Sequence, residues 1–103
     1  MSYQQAISAL LMEDGVEEST MMKAPCLRYK DHFLAMMFEK EDALIIKVSP
    51  ERVGDLISAG KGKEFNFTKK RFREWVLIPL EFQGDYEAYI REALFYAKQK
   101  SKN

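Results

Sequence analysis

The chain has 103 residues, 47% of them apolar and 13% aromatic, enough for one hydrophobic core and a single domain over residues 1–103. Sixteen Lys and Arg balance sixteen Asp and Glu, and this net charge of zero excludes bulk attraction to nucleic acid or an anionic membrane, so any such contact must come from a local patch. A single cysteine, Cys26, excludes an intrachain disulfide and a cysteine-rich zinc site, and fits a reducing cytoplasm. The start, MSYQQAISALLMEDG, lacks the basic opening of a signal peptide, and no run approaches the ~18 apolar residues that span a bilayer, so a soluble cytoplasmic protein is expected.

Tyr3, Ala6, Ile7, Leu10 and Leu11 recur at helical spacing, with Asp14-Gly15 suited to ending the helix. Glu13, Asp14, Glu17 and Glu18 then read as an acidic solvated connector. Pro25 introduces the short segment Cys26-Leu27-Arg28-Tyr29, and Lys30-Asp31 makes a tight turn into His32–Glu39. Lys40, Glu41 and Asp42 separate that strand from Ala43–Val48, in which Leu44, Ile46 and Val48 share a face. Strict alternation sets Leu34, Met36 and Phe38 opposite Phe33, Ala35 and Met37, so both faces of the strand are apolar and both need cover. Helices should supply one cover, and a second protomer or a returning strand the other.

Ser49-Pro50-Glu51-Arg52 has the pattern of a helix start, and a short helix burying Val53, Leu56 and Ile57 should stop near Gly60. Lys61 to Arg73 reads as a connector with extended pieces around Phe65 and Phe67, and Glu74–Leu80 as a strand that Pro79 places at an edge or at its exit from the sheet. Asp85 is the expected N-cap of a final helix with Tyr86, Tyr89, Ile90, Ala93, Leu94 and Ala97 on its buried face. These elements predict an α+β fold, three helices and an antiparallel sheet of about four to five strands, in the order α-βββ-α-β(β)-α.

Catalytic and metal chemistry find little support. Cys26 and His32 flank one predicted hairpin and so form a conceivable thiol–imidazole pair, but the residues show no third group to orient them. One cysteine and one histidine cannot supply the three or four ligands of a zinc site, so no metal and no cofactor is expected. The turn acids Glu39, Glu41 and Asp42 read as solvated carboxylates. Gly60-Lys61-Gly62-Lys63 matches no phosphate loop and follows a helix, where the dipole has the wrong sign for an anion.

The basic stretch carries more. From Lys61 to Arg73, six cations (Lys61, Lys63, Lys69, Lys70, Arg71 and Arg73) face one acid, Glu64, a local charge of 6 − 1 = +5. Phe65, Phe67 and Phe72 are interleaved and Trp75 follows, a combination that suits contact with phosphates and stacking on bases. The alternative is that the aromatic residues pack into the core and the cations form a solvated rim, with Glu74 paired to Arg71 or Arg73. Met36 and Met37 read as core, whereas Met21 and Met22 fit either a cap on the sheet or an adaptable contact surface.

Taken in order, Met22-Lys23-Ala24-Pro25-Cys26-Leu27-Arg28-Tyr29, Phe33-Leu34-Ala35-Met36 and Leu44-Ile45-Ile46-Lys47-Val48 resemble the N-terminal domain family of the competence regulator TfoX (Sxy). Pro50-Glu51-Arg52-Val53, Leu56-Ile57-Ser58-Ala59-Gly60 and Arg71-Phe72-Arg73-Glu74-Trp75-Val76 continue the resemblance, which covers roughly Met21 to Ala97. Relatives often have glycine where this chain has Asp31-His32. The resemblance implies a two-layer α+β domain similar to secretion-chaperone-like domains, which tend to pair, and it transfers no catalytic position. Full TfoX-like regulators carry a second, C-terminal domain, so a single-domain member is expected here.

The expected function is that of a small non-enzymatic regulatory module acting through protein contacts and self-association. Lys61, Lys63, Lys69, Lys70, Arg71, Arg73 and Trp75 are the candidate contact residues. The alternatives are a nucleic-acid-binding accessory of transcription or competence using residues 61–75, and an enzyme centred on Cys26 and His32.

Overall fold

A computed structural model of the chain describes residues 3–21, 24–38, 42–67 and 70–101; the side chains at 21, 66–67, 70–72 and 101 lie outside that description. Helix α1 (Tyr3–Leu10) buries Ala6, Ile7 and Leu10. It ends at Leu10, and residues 11–15 form turns that lead into β1 (Val16–Met21). The acidic connector expected here is therefore in large part a strand. β1 lies at the sheet edge with Val16 buried and Glu17 and Glu18 exposed, so it lacks the apolar alternation that marks a half-buried strand.

β2 (Ala24–Tyr29), β3 (His32–Phe38) and β4 (Ala43–Lys47) form the expected meander, with the first turn at Lys30, whose φ is 53°. α2 (Pro50–Ser58) follows, then β5 (Lys63–Phe67), β6 (Lys70–Pro79), a 3-10 helix (Leu80–Asp85) and α3 (Tyr86–Ser101). The fold is α+β, with six strands rather than four or five, all antiparallel and ordered β1-β2-β3-β4-β6-β5. The segment read as a connector with extended pieces around Phe65 and Phe67 is a β-hairpin, with those pieces in β5 and the strand expected from Glu74 starting earlier, at Lys70. Asp85 is the last residue of the 3-10 helix rather than a free-standing N-cap, and the chain enters α3 already wound.

All three helices cover one face of the sheet. Their core contains Leu10, Leu27, Leu34, Leu44, Ile46, Val53, Leu56, Val76, Ile78 and the predicted α3 face of Tyr86, Tyr89, Ile90, Ala93, Leu94 and Ala97. Fully burying one such Leu or Ile contributes about 1.5–3 kcal/mol. Tyr86 is wholly buried, and its hydroxyl donates to the Ile78 carbonyl at 3.1 Å, which meets the polar cost of burying it.

The other face holds a second cluster: Cys26, Phe33, Met36, Ala43, Ile45, Phe65 and Leu77, with Phe38 and Trp75 against it. Strict alternation along β3 does not hold. Leu27 pairs with Ala35 but Arg28 with Phe33, so Leu34 is an extra residue, a β-bulge. Leu34 and Ala35 both serve the helix side, whereas Phe33, Met36 and Phe38 share the outer face. Phe33 of β3 stacks on Trp75 of β6 with centroids 4.6 Å apart, although β4 lies between their strands. Phe65 meets Trp75 at 5.3 Å and Phe38 edge-on at 5.5 Å. The returning β5–β6 hairpin thus supplies the cover that a second protomer could have given, and Met36 and Ile45 are at most 1% exposed without any partner.

Candidate partner-binding surface

The hairpin starts from the end of α2. Gly60, at φ 77°, takes the left-handed conformation, Lys61 N–H donates to the Leu56 carbonyl at 3.0 Å and Gly60 N–H to that of Ile57 at 3.1 Å, a Schellman end. Gly62 lies so close to β6 that a Cβ there would sit 2.6 Å from a Val76 methyl and 3.3 Å from Leu56 Cβ. These two glycines send the chain directly back along the sheet. The N–H groups of Gly60, Lys61 and Gly62 are all spent on the Ile57 and Leu56 carbonyls, so these three amides are not available to hold an anion there.

Lys61 and Lys63 are exposed, and Lys63 pairs with Leu77, which puts its side chain on the outer face. Arg73 is exposed too, and Trp75 is half-buried under Phe33. Lys70 and Arg71 open β6 opposite Phe67 and Asn66, while Lys69 lies outside the described residues. Between Glu64–Val76 and Asn66–Arg71 the register shifts by three: one β5 residue, Phe65, faces residues 72–75 of β6. That extra length lets the hairpin end turn independently of the regular ladder and separates Lys70 and Arg71 from Lys61 and Lys63.

Sequence reasoning missed two cations of this surface. Lys47 pairs directly with Trp75, and Arg28 directly with Phe33, so both stand on the outer face beside the aromatic stack. Arg28 Nε is buried with no hydrogen-bond partner among the described residues. The signal for Lys47 was present in its i+2 relation to Ile45. That for Arg28 was not, because the bulge at Leu34 decides its neighbour.

Glu74 turns to the other side. It accepts a hydrogen bond from the Tyr96 hydroxyl, and Lys100 Nζ lies 3.4 Å from it, so its partners among the described side chains are on α3 rather than the expected Arg73; the Arg71 side chain lies outside that description. Burial opposes its ionisation, but Tyr96, Lys100 and Lys47 prevail and hold its carboxyl below the usual range. On Tyr96, burial and then the Glu74 carboxylate raise the pKa.

The two residues of the thiol–imidazole pair are not brought together. Cys26 pairs with Met36 on the outer face and is 1% exposed; His32 pairs with Tyr29, which packs toward the helices. They occupy opposite faces, three residues apart along the ladder, or about 10 Å. Among the described residues no group of three or more His, Cys, Asp or Glu could hold a metal ion, and no helix is long and apolar enough to cross a membrane. No family model, curated protein or solved structure matches the chain.

Proposed function

We propose that this chain is a non-enzymatic interaction module whose partner is an acidic, extended protein segment that adds to the sheet beside β5. The observation that carries this reading is the position of β5 at the end of the strand order together with local positive charge. No described strand lies along the outer side of β5, and Lys61, Lys63 and Arg73 are exposed near it. The opposite edge, β1, carries exposed Glu17 and Glu18 and would repel the same segment. The TfoX-like order of motifs, in which Arg71 to Trp75 is a recognisable segment, supports a regulatory role at the same place.

A second reading has its own observation. Lys47 and Trp75 are direct cross-strand neighbours on the outer face, with Lys63 opposite the adjacent Leu77, an arrangement that suits a single-stranded nucleic acid. Fluorescence anisotropy separates the two. A labelled acidic β-prone peptide should bind at about 50 mM salt, weaken at about 200 mM, and fail to bind the Lys61→Glu, Lys63→Glu, Arg73→Glu variant. Tighter binding of single-stranded DNA or RNA, lost on Lys47→Glu or on reversing Lys69, Lys70 and Arg71, would replace the first reading with the second. Binding of neither would remove both.

A further inference from the structure

We infer that the outward ridge of α3 is a self-association surface, on which a second copy of this chain docks antiparallel with Phe95 of each copy entering the groove between α2 and α3 of the other. This surface lies apart from the β5–β6 hairpin and does not depend on what binds there. Phe95 is 64% exposed, in the middle of a helix whose opposite side is core. It stands between two hollows. One, of about 460 Å³, is bordered by Val48, Ser49, Arg52 and Tyr96, and the other, of about 640 Å³, by Gly15, Tyr29 and Lys98; Phe95 and Gln99 line both.

An aromatic knob beside a hole on one patch is self-complementary under a two-fold axis, because the same displacement carries each knob into the other's hole. The turn after α1 borders the same ridge: its Asp14 and Gly15 line the second hollow with Phe95, and the Glu13 carboxylate holds Arg91 at 3.1 Å, one turn from Phe95. Met12, 87% exposed, and Leu11, 36% exposed, stand in that turn.

Charge selects the antiparallel arrangement. Counted with their ion-pair partners, the half of α3 before Phe95 carries Glu87, Glu92 and Arg91 with Glu13 and Arg52, a net of 2 − 3 = −1, and the half after it carries Lys98 and Lys100 with Glu74, a net of 2 − 1 = +1. Antiparallel helices oppose these halves and also their dipoles, and parallel ones would set like against like.

Sedimentation equilibrium from about 5 µM to about 1 mM tests the inference. The mass should rise from 12.0 kDa toward twice that value. Phe95→Asp should weaken association by at least ~30-fold, as expected for a central aromatic anchor, while at protein concentrations low enough for the parent to be monomeric its circular dichroism and Tm stay those of the parent. Phe95→Ser, a milder change, should act in the same direction, and Leu80→Asp should leave association intact. A parent chain that stays at 12.0 kDa throughout, or a dimer that survives both Phe95 changes, would overturn it.

Discussion

Tyr3 carries a buried hydroxyl that lies beside the Met37 backbone without a well-formed hydrogen bond among the described residues, and burial, only partly offset by Met37, pushes its pKa from 10.0 up to about 12. The folded state therefore resists tyrosinate formation more than the unfolded chain does. That contribution is complete below the unfolded value of 10.0 and is lost as pH rises toward about 12. Tyr3→Phe should raise stability by about 1 kcal/mol by removing an unsatisfied buried group, and should flatten the loss between those pH values in urea melts. Glu74 has the opposite sign. Its carboxyl is held low, so its contribution is present above the unfolded carboxylate range and is lost as pH falls through the lowered folded value. Glu74→Gln should cost about 1 kcal/mol at neutral pH and remove that part of the acid dependence, since the Tyr96 hydroxyl loses its charged acceptor.

At the scale of elements, α2 shows how far the sequence was readable. Ser49 accepts from Arg52 N–H at 3.2 Å and Pro50 opens the helix, as Ser-Pro-Glu-Arg suggests, and Gly60 closes it. Ser49→Ala and Gly60→Ala should each lower stability by about 1 kcal/mol, measured by chemical denaturation, the first through a lost cap and the second through left-handed strain. Such local signals survive because they depend on residues within a few positions of each other. β1 was not legible for the converse reason, and β5 only as extended pieces around Phe65 and Phe67: each is a sheet edge, β1 with Val16 buried before the exposed Glu17 and Glu18, and β5 with Phe65 buried after the exposed Lys63 and Glu64. The bulge at Leu34 is likewise invisible, since Phe33, Leu34, Ala35 and Met36 are all buried whichever way they point. It nevertheless decides that Phe33, rather than Leu34, meets Trp75.

Across the whole molecule, the apolar outer face read from β3 did not leave a surface waiting for a partner. Phe33, Phe38, Phe65 and Trp75 converge on Met36 and Ile45 and close it from within. What remains for a partner is the rim, where Lys47 pairs with the half-buried Trp75 and the exposed Lys63 and Arg73 lie on the last two strands of the order, β5 and β6. Only part of this candidate site was legible. Lys61 to Trp75 stand out by composition, but Lys47 joins them through pairing between β4 and β6, a contact across 28 residues.

Trp75 also sets the balance between cover and contact. Trp75→Ala should cost about 3 kcal/mol in stability, because it opens the stack on Phe33 and Phe65, and this should be read out as a lowered denaturant midpoint. The measurement that bears most directly on the central claim is hydrogen–deuterium exchange, with and without a saturating acidic β-prone peptide. Added pairing at the sheet edge should slow exchange of the β5 amides at 63–65 and leave those of β1 unchanged. Slowing confined to β1, or no slowing at β5 despite full occupancy, would contradict it.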